Sequence, residues 1–329
     1  MVDRTSLEKV RDCIERGQHF VLTTHVNPDG DGLGSEAALA AFLTDMGKDV
    51  FIFNSSQVPD NYKFLDPDNN IKVYESESDR ETLLTADCIF ILDISDWDRL
   101  KQVGKDIRDS KITQICIDHH PTNFKFADIN LIDTMACSTG ELVYDFLRFC
   151  DTKITKQIAE ALYTSILTDT GWFQFSNSSA KAFSIVADLV KNGARPNKIY
   201  EKVRERESIS KVKLFAHALR TLRLEHGGRI AVMTVTKDLI DSIGAQTYDT
   251  EGFADYPRRI DGVEVTAMFI EREKGQVKLS LRSKGNYVIN GIAQQYGGGG
   301  HQYAAGVLLE GELNQYVERI VEEISYLFK

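Results

Sequence analysis

Residues 19–35 read HFVLTTHVNPDGDGLGS. Six strand-forming residues, HFVLTT (19–24), run into a turn rich in Pro, Asp and Gly. LGSEAALAAFLTDMG then reads as a helix ending at Gly47. The same alternation extends in both directions. Residues 5–16 read as a helix stopped by Gly17, and KDVFIF (48–53), DCIFILD (87–93) and KITQICID (111–118) read as strands. Strands separated by helices of this length predict an α/β fold, a doubly wound and mainly parallel sheet covered on both faces. Ser138 and Glu141 have the spacing of a capping box, which starts a helix there, and 155–170 and 178–192 read as two more helices.

A length of 329 residues predicts two domains. NGARP (192–196) interrupts the first pattern, and the spacing predicts one charged helix over roughly 197–225. The second half reads differently. RIAVMTVT (229–236) is a strand, and VEVTAMFIE and QVKLSLRS flank a hairpin turn at Arg272–Gly275. YVINGIAQQYG reads as a helix, AAGVLLE as a strand, and 313–328 as an amphipathic helix. The expected organisation is a catalytic, metal-binding domain over 1–195, a helical linker over 196–225, and a smaller α/β domain with a mixed sheet over 226–329.

Composition narrows the function. The net charge of −10 argues against a protein that coats long nucleic acid, and no long duplex partner is expected. Residues 196–329 hold 19 basic and 18 acidic residues, so the acidic excess lies in the first half, where it suits bound cations. Apolar runs such as CIFIL are far too short to span a bilayer. The charged N-terminus lacks the apolar core of a signal peptide, so the expectation is a cytoplasmic protein with no membrane partner. The five cysteines show no C-x-x-C spacing and read as reduced core residues.

Three predicted strands end in candidate ligands: His25 with Asp29 and Asp31, then Asp93, then Asp118-His119-His120. In a doubly wound sheet, ligands gather at the carboxyl ends of the strands. Carboxylates mixed with imidazoles suit first-row divalent ions. Two ions ~3.5–4 Å apart need a bridging carboxylate, and Asp93 stands alone at its strand end. Asp169 follows an apolar helix and can close the site from the side. Each residue alone has an ordinary reading as a turn former, helix cap or satisfied histidine; their convergence on one rim favours metal. Gly32-x-Gly34-x-x-Ala37 also fits a dinucleotide fingerprint, but two aspartates would face the pyrophosphate and the second strand, FIFNSS, has no acid for the ribose.

HVNPDGDGLGS, ILD, IDHH and LTDTGWF together resemble the motifs of the DHH phosphoesterase family. LRS (281–283) and GGGGHQYAAG (297–306) resemble the substrate-binding domain that accompanies one branch of it. The resemblance implies that His25, Asp29 and Asp93 hold one ion and that Asp31, Asp93, His119 and Asp169 hold the other, manganese being the usual metal. It implies that a hydroxide bridging the two ions attacks phosphorus, that His120 contacts the phosphate and protonates the leaving group, and that Asp118 orients a ligand histidine. The short two-domain form resembles the oligoribonuclease and pAp-phosphatase type. Its members degrade very short RNA and dephosphorylate 3′-phosphoadenosine 5′-phosphate (pAp), and some hydrolyse the linear dinucleotides left from cyclic-di-AMP. A non-catalytic nucleotide sensor is the rival class; the intact ligand set argues for an enzyme. A homodimer is left open.

In the second domain the expected substrate contacts are Arg282, Ser283, Gly298, Gly299, Gly300 and His301. A glycine run can expose consecutive N–H groups as a nest for an anion, and a guanidinium can grip a phosphate with two hydrogen bonds. Tyr287, Tyr296 and Tyr303 are candidates for stacking on a base. A cleft between the domains would limit substrates to short single strands.

Overall fold

The structure is a computed structural model that describes residues 2–94, 96–108, 110–120 and 127–328. The chain divides into two compact units, residues 1–206 and 207–329.

The first unit is an α/β layer structure. Its strands are β1 (His19–Thr23), β2 (Asp49–Asn54), β3 (Ile71–Val73), β4 (Cys88–Leu92), β5 (Thr113–Asp118) and β6 (Ile129–Ile132). They form one sheet in the order β3-β2-β1-β4-β5-β6, every pairing parallel. The helices are α1 (Arg4–Arg16), α2 (Gly30–Asp45), α3 (Glu77–Leu84), α4 (Lys101–Arg108), α5 (Thr139–Phe149), α6 (Lys156–Asp169), α7 (Ala180–Lys191) and α8 (Pro196–Arg204). Successive strand residues point to opposite faces, and both faces are filled. Phe20, Leu22, Phe90, Leu92, Ile115 and Ile117 pack with residues of α1, α2, α5 and α6. Val21, Ile89 and Ile91 pack with Leu83, Leu100, Val103 and Ile107 on the other side. Each such fully buried side chain contributes about 1.5–3 kcal/mol relative to exposure.

The second unit contains α9 (Ile209–Arg220), β7 (Arg223–Glu225), β8 (Ile230–Val235), α10 (Lys237–Ile243), β9 (Val265–Glu273), β10 (Gln276–Ser283), α11 (Asn290–Gln295), β11 (Gly299–His301), β12 (Ala304–Glu310) and α12 (Leu313–Ser325). Its sheet runs β11-β12-β10-β9-β8-β7 and is mixed, with β8 and β9 parallel and the other pairs antiparallel. One face packs on α11 and α12, the other on α9 and α10. The expected fold class, a parallel sheet domain followed by a smaller α/β domain with a mixed sheet, is what the chain adopts.

Three local readings need correction. The segment expected as one helix near 197–225 is α8, α9 and the short strand β7. The break falls at Glu205–Ser208 because the Ser208 hydroxyl caps α9, accepting from Lys211 N–H at 3.0 Å. α8 buries Ile199 and Val203 in the first core, while α9 buries Leu214 and Ala218 in the second. Helix α2 begins at Gly30, earlier than the apolar pattern suggests, because the Asp29 carboxylate caps it from the N–H groups of Asp31 and Gly32. The Glu141 carboxylate accepts from Cys137 N–H rather than closing the expected capping box on Ser138, although the Ser138 hydroxyl does accept from Glu141 N–H.

Candidate metal centre

The strand order reverses direction between β1 and β4, and this switch point is where open α/β sheets bind ligands. His25 follows β1, Asp93 follows β4, and Asp118 ends β5 with His119 and His120 beyond it. Since β1, β4 and β5 are neighbours, their ends bring these side chains together. Asp29 and Asp31 enter from the start of α2, and Asp169 from the last residue of α6.

The donors form three overlapping groups: His25, Asp29 and Asp93; Asp31, His119 and Asp169; Asp93, His119 and His120. His25 Nε2 lies 3.4 Å from Asp93 Oδ2 and 3.7 Å from Asp29 Oδ2. His119 Nε2 lies 3.6 Å from Asp31 Oδ2, 3.6 Å from Asp169 Oδ2 and 3.8 Å from Asp93 Oδ1. These separations exceed ordinary hydrogen bonds. They are close to the roughly 3.0–3.4 Å between neighbouring donors on one ion with ~2.1 Å bonds. The donor set of imidazoles and carboxylates fits divalent first-row ions. Asp93 turns one oxygen toward His25 and the other toward His119 and His120. It sits at φ +59°, a left-handed conformation that Asp tolerates better than most residues.

The surroundings fix these groups. His25 Nδ1 lies 3.0 Å from the Val26 carbonyl and His119 Nδ1 3.3 Å from that of Ala136. A carbonyl only accepts, so both Nδ1 atoms carry a proton, and both Nε2 atoms face the carboxylates. Asp31 accepts from the N–H groups of Thr139 and Gly140 at 2.8 and 3.1 Å, the N-terminus of α5, and from the Ser165 hydroxyl. The Thr139 hydroxyl donates to Asp93 Oδ1 at 3.1 Å. Asn177 Nδ2 donates to the Cys137 and Asp169 carbonyls at 2.9 and 3.1 Å and lies 3.4 Å from the Asp169 carboxylate. Asp118 Oδ1 lies 2.7 Å from His120 Nδ1, so it orients His120, a member of one of the three donor groups. Sequence reading missed Thr139, Ser165 and Asn177. Ser165 lies one helical turn before Asp169, a spacing that places both on one face of α6; Thr139 and Asn177 carry no comparable signal.

The electrostatics describe a site short of positive charge. Burial and the charges of Asp93, Asp169 and Asp29 push Asp31 well above the usual carboxylate range. Asp169 rises to about 6, chiefly by burial, with Asp93 and Asp29 adding to it. Burial pulls His25 down, but Asp29 and Asp93 outweigh it and raise it to about 10. Burial also opposes the charged form of His120, yet Asp118 and Asp93 leave it raised. Several carboxylates that repel one another in a buried rim are what a bound cation relieves.

Behind the rim lies Glu36, fully buried on α2. Its Oε2 accepts from Asn54 Nδ2 at 2.9 Å, and Asn54 Oδ1 accepts from Thr24 N–H at 3.0 Å, next to His25. Its Oε1 has no hydrogen-bond partner among the described residues. Burial raises the Glu36 carboxyl from 4.5 to about 8. Between those values the folded state binds a proton that the unfolded chain has released, so stability falls as pH rises through the window. At about 1.4 kcal/mol per unit, the cost at pH 8.5 is a few kcal/mol. Glu36→Gln should therefore raise Tm by several degrees at pH 8.5 in chelated protein and far less at pH 5. Calorimetry at both pH values checks it; a lower Tm for the variant at pH 8.5 would show that Glu36 is held ionised.

In the second unit, His301, Ala304, Arg282 and Thr266 form one row across β11, β12, β10 and β9. This brings Arg282 and His301 onto the same face, two strands and so about 10 Å apart. Arg282 Nε lies 3.3 Å from Asp255 Oδ1. Ser283 is buried, and its hydroxyl accepts from Gly285 N–H at 3.2 Å in the following turn. The expected nest of consecutive N–H groups does not form. Gly297 and Gly298 donate to the Gln294 and Ala293 carbonyls and end α11, while Gly299 and Gly300 enter the edge strand β11. Gly298 has no room for a side chain, since a Cβ would lie 2.4 Å from the Gly306 carbonyl. Tyr287 packs on Phe328, and Tyr296 hydrogen-bonds Glu323, so Tyr303, at 42% exposure, is the most open of the three tyrosines.

A parallel α/β sheet with imidazole and carboxylate donors at its switch point, followed by a mixed-sheet domain, is the form this chain shares with one family of phosphoesterases. The chain belongs to the DHH family: the model of the DHH family N-terminal domain matches residues 19–166 and that of the DHHA1 domain matches 227–329. It is 32% identical over 305 residues to the bifunctional oligoribonuclease and PAP phosphatase NrnA of Thermus thermophilus, covering 92% of this chain and 88% of that protein. It is 28% identical to the Bacillus subtilis protein of the same name, covering 94% and 95%. An exopolyphosphatase-related protein from Bacteroides fragilis superposes with a TM-score of 0.93 at 28% identity, covering 99% of this chain and 98% of that one. Exonuclease RecJ bound to manganese shares the fold, with a TM-score of 0.55 at 14% identity, covering 100% and 96%. Among the described residues no helix is long and apolar enough to cross a membrane.

Proposed function

We propose that this protein is a manganese-dependent phosphoesterase that hydrolyses short oligoribonucleotides to mononucleotides and pAp to AMP. The observation that carries the reading is Asp93, whose two oxygens face two separate donor groups. His25 and Asp29 complete one binding position; Asp31, His119 and Asp169 complete the other. Divalent ions held there would polarise the phosphoryl oxygens and activate water at neutral pH. The chain's own part is to orient. Asp31 is held on the N-terminus of α5, and the Val26 and Ala136 carbonyls hold the Nδ1–H groups of His25 and His119 so that each Nε2 faces the ion position. Asp118 keeps a proton on His120 Nδ1, so that Nε2 exchanges the proton with the leaving oxygen.

The relatives named as oligoribonucleases and PAP phosphatases support the substrate class. The near balance of 19 basic and 18 acidic residues over 196–329 supports short over long substrates, since a long single strand needs an extended basic groove. The test is a competition with added Mn²⁺ between a 5′-labelled diribonucleotide and a 24-nucleotide RNA at equal concentration, with pAp in parallel. The dinucleotide should be consumed first and pAp should yield AMP. Faster, processive digestion of the long strand, or no turnover of any of the three, would refute the reading.

A further inference from the structure

The stretch FIFNSS ends its strand on an amide rather than an acid, and that residue, Asn54, is fully buried. The ladder between β1 and β2 ends at Leu22 and Ile52, whereas β1 stays paired with β4 as far as Thr23 and Ile91. Beyond the ladder the Asn54 side chain stands in for a backbone acceptor: its Oδ1 takes the Thr24 N–H at 3.0 Å. An N–H only donates, so the amide turns Nδ2 the other way, where it donates to Glu36 Oε2 at 2.9 Å. The Thr24 hydroxyl donates to the Leu92 carbonyl at 2.8 Å. Thr24 and Leu92 directly precede His25 and Asp93, so one buried strut from α2 through the end of β2 reaches the backbone beside both donors. On the far side of His25, Val26 N–H donates to the Arg99 carbonyl at 2.9 Å. Stability alone does not account for the strut. Glu36 is fully buried, and its Oε1 has no hydrogen-bond partner among the described residues. An apolar pair of the same shape would fill the space at no such cost. Buried hydrogen bonds of this kind instead hold the groups they join in one arrangement.

We propose that Asn54 is a positioning residue for the metal centre: it holds Thr24 so that His25 Nε2 stays aimed at the ion position it shares with Asp29 and Asp93. Glu36 keeps the Asn54 amide turned so that Oδ1 meets Thr24. Asn54 acts through the backbone of Thr24 and is not itself a metal donor. Its effect is confined to one ion position. His119, Asp31 and Asp169 are aimed by other groups, namely the Ala136 carbonyl, the start of α5 with Ser165, and Asn177. The inference rests on the reading of the rim as a two-ion centre.

The test is titration of the full chain with Mn²⁺ alone, the free ion being read by its electron paramagnetic resonance signal. The wild type should bind two ions per chain. Asn54→Leu fills the space of the amide but offers Thr24 no acceptor. It should weaken one of the two ions by about tenfold or more and leave the other unaltered. In a His25→Ala background, where that position is already impaired, Asn54→Leu should change nothing further. Asn54→Asp keeps the shape of the side chain and is the variant to read if the leucine chain does not fold. Two carboxyls then face each other across the former hydrogen bond and repel, and the same selective weakening is expected. Adding Glu36→Gln to Asn54→Asp restores a donor opposite an acceptor and should recover wild-type binding. Two unaltered ions in both Asn54 variants, equal weakening of both ions, a further loss in the His25→Ala background, or no recovery in the double variant would overturn the positioning role. Failure of the metal reading is separate: it appears as a wild type that binds no manganese, which overturns the two-ion centre and the positioning role together.

Discussion

Turnover of a dinucleotide with Mn²⁺ is expected to fall by about a thousandfold or more in Asp93→Ala and in Asp93→Asn. Metal assistance supplies several kcal/mol of transition-state stabilisation, and each ~1.4 kcal/mol is tenfold in rate. Asp93 is the residue placed to serve both binding positions, with one oxygen toward His25 and the other toward His119. The asparagine variant is the cleaner of the two. Alanine in the left-handed conformation at φ +59° adds backbone strain of roughly 1–2 kcal/mol, whereas asparagine visits that region readily. Thermal unfolding should therefore show a native-like Asn variant, and metal analysis should show reduced manganese. Activity near wild type in Asp93→Asn at excess Mn²⁺ would remove the two-ion assignment.

Gly34→Ala should be a strongly damaging single-methyl change in the first unit. A Cβ at this position would lie 2.5 Å from the Ala161 carbonyl and 3.0 Å from both Ser165 Cβ and the Ser165 nitrogen. Two of those atoms are backbone of α6 and cannot swing aside, so α2 and α6 must separate. Overpacking of a well-packed core costs typically ~1–3 kcal/mol. Here the same movement pulls Asp31, near the start of α2, away from the Ser165 hydroxyl that binds it. The expected result is a drop in Tm of several degrees together with weaker metal binding, read by calorimetry and by manganese titration. A variant with unchanged Tm and metal affinity would show that the helices tolerate the added methyl. The close approach also accounts for Gly32 and Gly34 without a dinucleotide: a Cβ at Gly32 would lie 2.4 Å from the Thr24 hydroxyl.

Much of the architecture was legible because its signals are local. Continuous apolar runs such as CIFIL mark strands buried on both faces, and Gly17 and Gly47 mark where helices stop. The short edge strands Ile71–Val73, Ile129–Ile132 and Gly299–His301 were not legible. A three- or four-residue edge strand exists because a neighbour offers unpaired hydrogen-bonding groups, and its own residues carry little pattern. The same reason hid the fate of the four glycines. Their composition suggested an anion nest, whereas pairing with β12 draws Gly299 and Gly300 into a strand.

For the site, the sequence by itself determined the donor types and their order, because each donor group follows a strand or helix that its own neighbours specify. Only the tertiary structure decided which strands adjoin. The parallel pairing of β1 with β4 and of β4 with β5 sets His25, Asp93 and His119 side by side. It alone supplied the residues that aim the donors: Thr139 on Asp93, Ser165 and the start of α5 on Asp31, Asn177 on Asp169 and Asp118 on His120. Ser165 lies 134 residues from Asp31 along the chain, and Arg258 binds the same acid as Arg282 from another element. Contacts of this kind are fixed by helix packing and strand order, which depend on the whole core at once, so no stretch of sequence encodes them locally.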